Sequence, residues 1–228
     1  MRIFKHLKSE WFRYGFETIA VVVGILVAFA LDNWHEQRQS KEQEINLLKE
    51  LVENLESDCK QYENRIKWQE KLIANIDRLI GHLEAKRPYE DSLKITMMQI
   101  SWFEEFSVNR SAYETLKSVG IERISSTELK KAITHHYDVL IADKSMIIQN
   151  VVNSEAIGHE EFFMNNFRIT NAGTIPTNYS VLIHEPFYIN LLYSRLSWKK
   201  DYITMLTQLM DASRSIIDLI QKELDSRN

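Results

Sequence analysis

Two hydrophobic patterns follow one another along the chain. From Thr18 to Leu31 (TIAVVVGILVAFAL) the sequence is uncharged and, past Thr18, without a strongly polar side chain. From Ile45 the apolar residues fall at alternating steps of three and four instead. Positions 45, 48, 52, 55, 59, 62, 66, 73, 76, 80 and 83 follow this rule, and only Gln69 interrupts it. That spacing belongs to a helix burying one stripe against other helices. It returns after Pro186, at positions 189, 192, 196, 203, 206, 210, 217, 220 and 224, interrupted by Lys199 and Ser213. Nothing between Leu31 and Ile45 breaks a helix, so the first two patterns read as one rod, about 110 Å long over residues 11–83. Gly81 and the Arg87-Pro88 pair are its predicted stop.

Between the two periodic runs the elements are shorter. Leu93, Met97, Ile100, Phe103 and Phe106 predict a helix over 91–106. A second, Asn109–Val119, ends at Gly120, where a left-handed C-cap is expected. Ser125 with Glu128 makes a capping-box pattern. It opens a helix through Leu129, Ile133, Tyr137, Leu140, Ile147 and Val151 to about Phe167. Thr170–Ser180, with Gly173 and Pro176, reads as a loop, and no strand pattern is visible. The expected fold is all-α: an N-terminal transmembrane helix continuing into an elongated antiparallel helical bundle with coiled-coil-like heptads.

The uniform run supports a membrane span over residues 12–31, with 1–11 before it and the bundle over 32–228 after it. Trp11, Phe12 and Tyr14 on one side and Trp34 on the other sit where aromatic belts belong, roughly 35 Å apart along a helix. Arg2, Lys5, Lys8 and Arg13 precede the run, whereas Arg38 and Lys41 follow it. This excess predicts a cytoplasmic N-terminus and an extracytoplasmic main domain in the inner (cytoplasmic) membrane. Ala28-Phe29-Ala30 also fits a signal-peptide cleavage site, with cleavage after Ala30. The long region ahead of the run, with Glu10 and Glu17, argues for retention. Within the span Ala20, Gly24 and Ala28 recur every fourth residue, with Glu17 and Asp32 at the two ends. Small residues let helix backbones approach closely, and intramembrane carboxylates usually face protein. The stripe Glu17, Ala20, Gly24, Ala28, Asp32 is therefore a candidate for helix association. The plainer alternative is that Arg13 or a proton neutralises Glu17.

Composition narrows the classes. Hydrophobic residues make up 44% of the chain, against six glycines and three prolines, which suits packed helices and not a β-sandwich. A net charge of −4 argues against a nucleic-acid partner. Cys59 is the only cysteine, so no intrachain disulfide can form.

The sequence carries little recognisable catalytic or metal-binding chemistry. His135-His136, His159 with Glu160 and Glu161, and His184-Glu185 lack the spacing of a helical zinc site. On one helix His136 and His159 would stand about 35 Å apart. No Gly-rich phosphate loop occurs, and Cys59 occupies a heptad position suited to a small core residue. No catalytic, cofactor-binding or metal residue is assigned, and no cofactor is expected. Met97, Met98, Trp102, Phe103 and Phe106 form the densest soft and aromatic cluster, which would line an apolar groove or simply fill the core.

Two stretches, Glu17–Arg38 (ETIAVVVGILVAFALDNWHEQR) and Ser111–Gly120 (SAYETLKSVG) with Ile124, resemble an uncharacterised family of bacterial single-pass membrane proteins. In that family a Gly-Ile-Leu-rich span ends in Asn-Trp, and a Tyr-x-x-Leu-Lys-Ser-x-Gly segment follows. The resemblance implies a bacterial origin and an anchor retained ahead of a helical domain. It supplies no activity. The function expected is a non-enzymatic, membrane-anchored interaction or scaffold module, homo-oligomeric or an accessory subunit of an envelope complex. The alternative is a ligand-binding sensory bundle working through a separate membrane partner.

Overall fold

The computed structural model describes residues 3–100 and 106–226, and their side chains except those of 3–15 and 155–158. Helix α1 runs over Ile3–Glu84 and carries both hydrophobic patterns. Contacts divide the chain after Lys49, into residues 1–49 and 50–228. In the first unit every side chain from Phe16 to Leu31 is exposed. The second unit holds most of the packed core.

Along α1 the row Leu55, Tyr62, Gln69, Ile76 and Leu83 is fully buried. Its flank is buried unevenly. Val52, Ile66 and Ile73, expected in the seam, are only half-buried, whereas Leu51, Asp58, Leu72 and Leu79 on the other side are sealed. The buried stripe is thus three rows wide and leans away from the predicted side. Helix α1 does not stop at Gly81. It ends at Glu84, where Lys86 adopts φ 51° and the Arg87 and Lys86 N–H groups return to the carbonyls of His82 and Leu83. This is a Schellman closure with a lysine at the left-handed position. His82 Nε2 donates to the Pro88 carbonyl at 2.8 Å and fixes the chain beyond it.

Helix α2 (Leu93–Ile100) and α3 (Ser111–Val119) each begin two residues later than expected, and residues 101–105 of the helix expected over 91–106 lie outside the described residues. Gly120 closes α3 with φ 98° and ψ 115°, a positive-φ conformation outside the left-handed helical well. Helix α4 (Thr127–Thr134) is capped by Ser126, whose hydroxyl accepts from the Leu129 N–H, so the cap lies one residue later than the Ser125 pattern predicts. A π-turn, His135–Leu140, then joins α4 to α5 (Ile141–Asn166), with the Ile141 N–H reaching back to His136 O. A π-turn adds one residue to the helical repeat. Hence Leu129, Ile133 and Tyr137 are buried as expected, but beyond the turn Ile141 and Ile148 replace Leu140 and Ile147 on the inner face.

The expected loop after α5 contains a hairpin. Strands β1 (Phe167–Thr170) and β2 (Gly173–Pro176) pair antiparallel in the register Phe167↔Pro176 to Thr170↔Gly173. Strand β2 lies on α2 so closely that a Cβ on Gly173 would stand 2.9 Å from Lys94 Cβ, and φ there is +128°. A glycine is required on both counts. A single turn, α6 (Tyr179–Leu182), leads to α7 (Pro186–Asp225), which begins with Pro186 in its first turn. The row Leu192, Lys199, Leu206, Ser213 and Ile220 is buried, as is its flank Tyr188, Arg195, Tyr202, Leu209 and Ile216. Contacts that join α1 to α7 among the described residues include Cys59–Met210, Glu63–Arg214, Gln69–Lys199 and Glu84–Tyr193. Rising numbers on one helix broadly meet falling numbers on the other, so these two stretches run antiparallel. Helices dominate the described residues, and the small hairpin is the one departure from all-α.

Candidate functional site

Polar residues that interrupt the apolar seams meet each other or another buried polar group. Lys199, 1% exposed, donates from Nζ to Oε1 of Gln69, 4% exposed, at 3.3 Å. Ser213 Oγ lies 3.4 Å from His136 Nε2. Burial lowers His136 to a pKa of about 4, helped by the neighbouring His135 charge. Arg195 Nη2 donates to His159 Nδ1 at 2.9 Å. A guanidinium has only donors, so Nδ1 of His159 carries a lone pair. Burial, then the Arg195 charge, lowers His159 to about 4 as well.

The densest polar constellation surrounds the π-turn. Tyr113, on α3, stacks on Tyr137 with ring centres 4.4 Å apart and planes 7° apart. Its hydroxyl donates to Asp138 Oδ2 at 2.6 Å. Lys117, one turn along α3, and Arg110 each lie 3.6 Å from Asp138 Oδ1. Arg110 also donates to the Tyr137 carbonyl at 3.2 Å and covers both tyrosine rings. Burial and the hydrogen bond to Asp138 hold the Tyr113 phenol well above its ordinary pKa. The segment Ser111–Gly120 is thereby clamped to the one irregular turn of the α4–α5 rod.

Beside it, Asp58 on α1 is 1% exposed. Its Oδ1 accepts from the Asn109 N–H at 3.1 Å, and Oδ2 has no partner among the described residues. Burial raises this carboxyl to a pKa of about 6, against the lowering effect of the Asn109 hydrogen bond. One turn earlier, Asn54 accepts from Asn109 Nδ2 at 3.0 Å and donates to Ser111 Oγ at 2.9 Å. Asn109 Oδ1 in turn accepts from the Ser111 N–H at 3.1 Å, capping α3 from one residue before its N-cap.

The residues singled out from sequence are distributed as follows. Glu17, Ala20, Gly24, Ala28 and Asp32 are all exposed on α1, and nothing lies within 4 Å of a Cβ built on Gly24. The side chains of Trp11, Phe12, Arg13 and Tyr14 lie outside the described ones, as do residues Trp102 and Phe103. Met97 is fully buried in a core with Ile76, Leu79, Phe167 and Leu192, whereas Met98 and Phe106 are half-buried. An open groove of about 260 Å³ lies elsewhere, between Phe162, Asn165 and Phe187. Cys59 is buried, with its thiol 3.8 Å from Met210 O, and burial raises its pKa. Among the described residues no three His, Cys, Asp or Glu side chains are grouped to hold a metal. Sequence reasoning passed over Asp58, Asp138 and Arg195. The available signal was positional: Asp58 shares its heptad row with Leu51, Leu72 and Leu79.

These features define a helical protein with one N-terminal helix long and apolar enough to cross a membrane, and a packed domain with buried polar pairs. Residues 17–193 match the model of DUF6090, a family of unknown function, and the chain belongs to that family. No curated protein and no solved structure matches it.

Proposed function

We propose that the chain is a membrane-anchored helical interaction module that works by assembling with copies of itself or with another membrane protein. Residues 12–31 form the anchor in the inner membrane, 1–11 stay in the cytoplasm, and 32–228 form an elongated antiparallel bundle on the other side. One observation carries this reading. The large apolar side chains from Phe16 to Leu31 are 49–74% exposed, around the whole circumference of α1. A helix apolar on every face has no stable place in water, and a bilayer satisfies it because all its backbone groups bond within the helix. Glu17, Ala20, Gly24, Ala28 and Asp32 form the stripe through which a second span would pack.

The test uses full-length protein in native membranes. The chain is expected to stay with the membrane after a carbonate wash, with reporters after Trp34 and at the C-terminus both facing away from the cytoplasm. In-membrane crosslinking should capture a second copy or a membrane protein, and Gly24→Ile should reduce that product several-fold. A mature chain beginning at Leu31, recovery in the soluble fraction, or a monomer without crosslinked partner overturns the reading.

A further inference from the structure

We propose that Asp58 is a proton-responsive latch, which holds Asn109–Ser111 and hence the start of α3 against α1 when protonated and loosens that hold when ionised. The geometry shows the held state and the reason ionisation would loosen it. Asp58 is sealed, at 1% exposed, beneath the segment that enters α3, and among the described residues its one hydrogen bond comes from the Asn109 N–H. Among the described residues no Lys, Arg or His stands within ion-pair distance of it. An ionised carboxylate buried with one donor is costly, and lifting 109–111 from α1 would open it to water. A protonated carboxyl keeps the Asn109 bond at Oδ1 and gains a donor at Oδ2. The Tyr62 and Tyr137 hydroxyls, both buried without a partner among the described residues and both within reach of the Asp58 charge, are acceptors in the same region.

Among the described residues the ionisable surroundings come from several elements. On α1 they are Cys59, Tyr62, Glu63 and Arg65; before α3, Arg110; in the π-turn, His136, Tyr137 and Asp138; on α7, Arg214. Arg110 is engaged by Glu114, Asp138 and the Tyr137 carbonyl, and Arg214 pairs with Glu63 at 2.6 Å. The sign follows from burial. A carboxyl raised from 3.8 to about 6 in the folded chain contributes stability that is complete below pH 4 and is lost as pH rises through about 6. The buried histidines act in the opposite sense over an overlapping window, so the latch is read as a difference between wild type and Asp58→Asn.

The experiment uses the full chain in mild detergent. Selectively 13C-labelled aspartate should show one carboxyl titrating near pH 6. Exchange of the Asn109 amide, corrected for its intrinsic rate, should be about tenfold faster at pH 7.5 than at pH 5, and Asp58→Asn should abolish that difference. A carboxyl midpoint below about 4.5, or an Asn109 exchange ratio unchanged in Asp58→Asn, overturns the proposal. The titration is made on wild type, so a variant that fails to fold still leaves the latch open to refutation. Neither measurement depends on where residues 12–31 reside.

Discussion

Lys199 and Gln69 each interrupt a mainly apolar heptad row, one on α7 and one on α1, and they are hydrogen-bonded to each other at 3.3 Å inside the core. Such a pair fixes the register of two antiparallel helices, because sliding either by a turn would oppose the ammonium to an aliphatic side chain. Removing one acceptor of a buried donor typically costs roughly 1–3 kcal/mol. Gln69→Leu is therefore expected to lower stability by about that amount although it completes the apolar pattern. Comparison of Gln69→Leu, Lys199→Met and the double variant by denaturant unfolding should return a coupling of roughly 0.5–3 kcal/mol. Simple additivity would show that the contact carries no energy of its own.

The centre of each buried stripe was legible in the sequence, but its edges were not. Spacing identifies the row Leu55–Tyr62–Gln69–Ile76–Leu83 and its counterpart on α7 because both flanking registers share it. The flank that packs is chosen by neighbouring helices, and those neighbours bring polar groups. This is why Asp58 and Arg195, each on the flank that packs, escaped notice. The π-turn at His135–Leu140 escaped for a different reason: no residue type marks it, and its effect is a one-residue slip of the inner face from Leu140 to Ile141. The hairpin was hidden by its shortness, since four residues per strand give no period to read.

Lys86 occupies the left-handed position that ends α1, at φ 51°. A residue with a Cβ adopts this conformation at a cost of roughly 1 kcal/mol relative to glycine, partly offset by glycine's greater freedom when unfolded. Lys86→Gly is thus expected to stabilise the chain by about 0.5 kcal/mol. A thermal melt one to several degrees higher would bear this out, and a lower one would contradict it.

His136 sets an acid limit. Burial lowers it from 6.5 to about 4, so the folded chain holds it neutral while the unfolded chain protonates it. Its contribution is fully present above pH 6.5 and is lost as pH falls towards 4, the reverse of Asp58. Between pH 7 and pH 4.5 the loss is on the order of 2 kcal/mol. His136→Gln keeps a polar atom near Ser213 but cannot be protonated. Its stability relative to wild type should rise by that amount as the solution is acidified over this range. A difference that stays constant with pH would place His136 outside the titration.

Tyr113 and Lys117 tie α3 to the π-turn through a single carboxylate, Asp138. The two contacts differ in environment. Tyr113 is 1% exposed and its hydroxyl approaches Asp138 at 2.6 Å, whereas Lys117 is about half exposed and stands 3.6 Å away. Solvent screens the second strongly, so its contribution is expected to be near zero. Tyr113→Phe keeps the stacking on Tyr137 and loses only the hydroxyl, which should cost about 1–2 kcal/mol. Lys117→Met should cost less than roughly 0.5 kcal/mol. If both variants lost equal stability, the exposed ion pair would hold the turn as strongly as the buried hydroxyl, against the screening argument. If neither did, the stacked rings alone would join α3 to the α4–α5 rod, and the stability of the double variant would remain at the wild-type value.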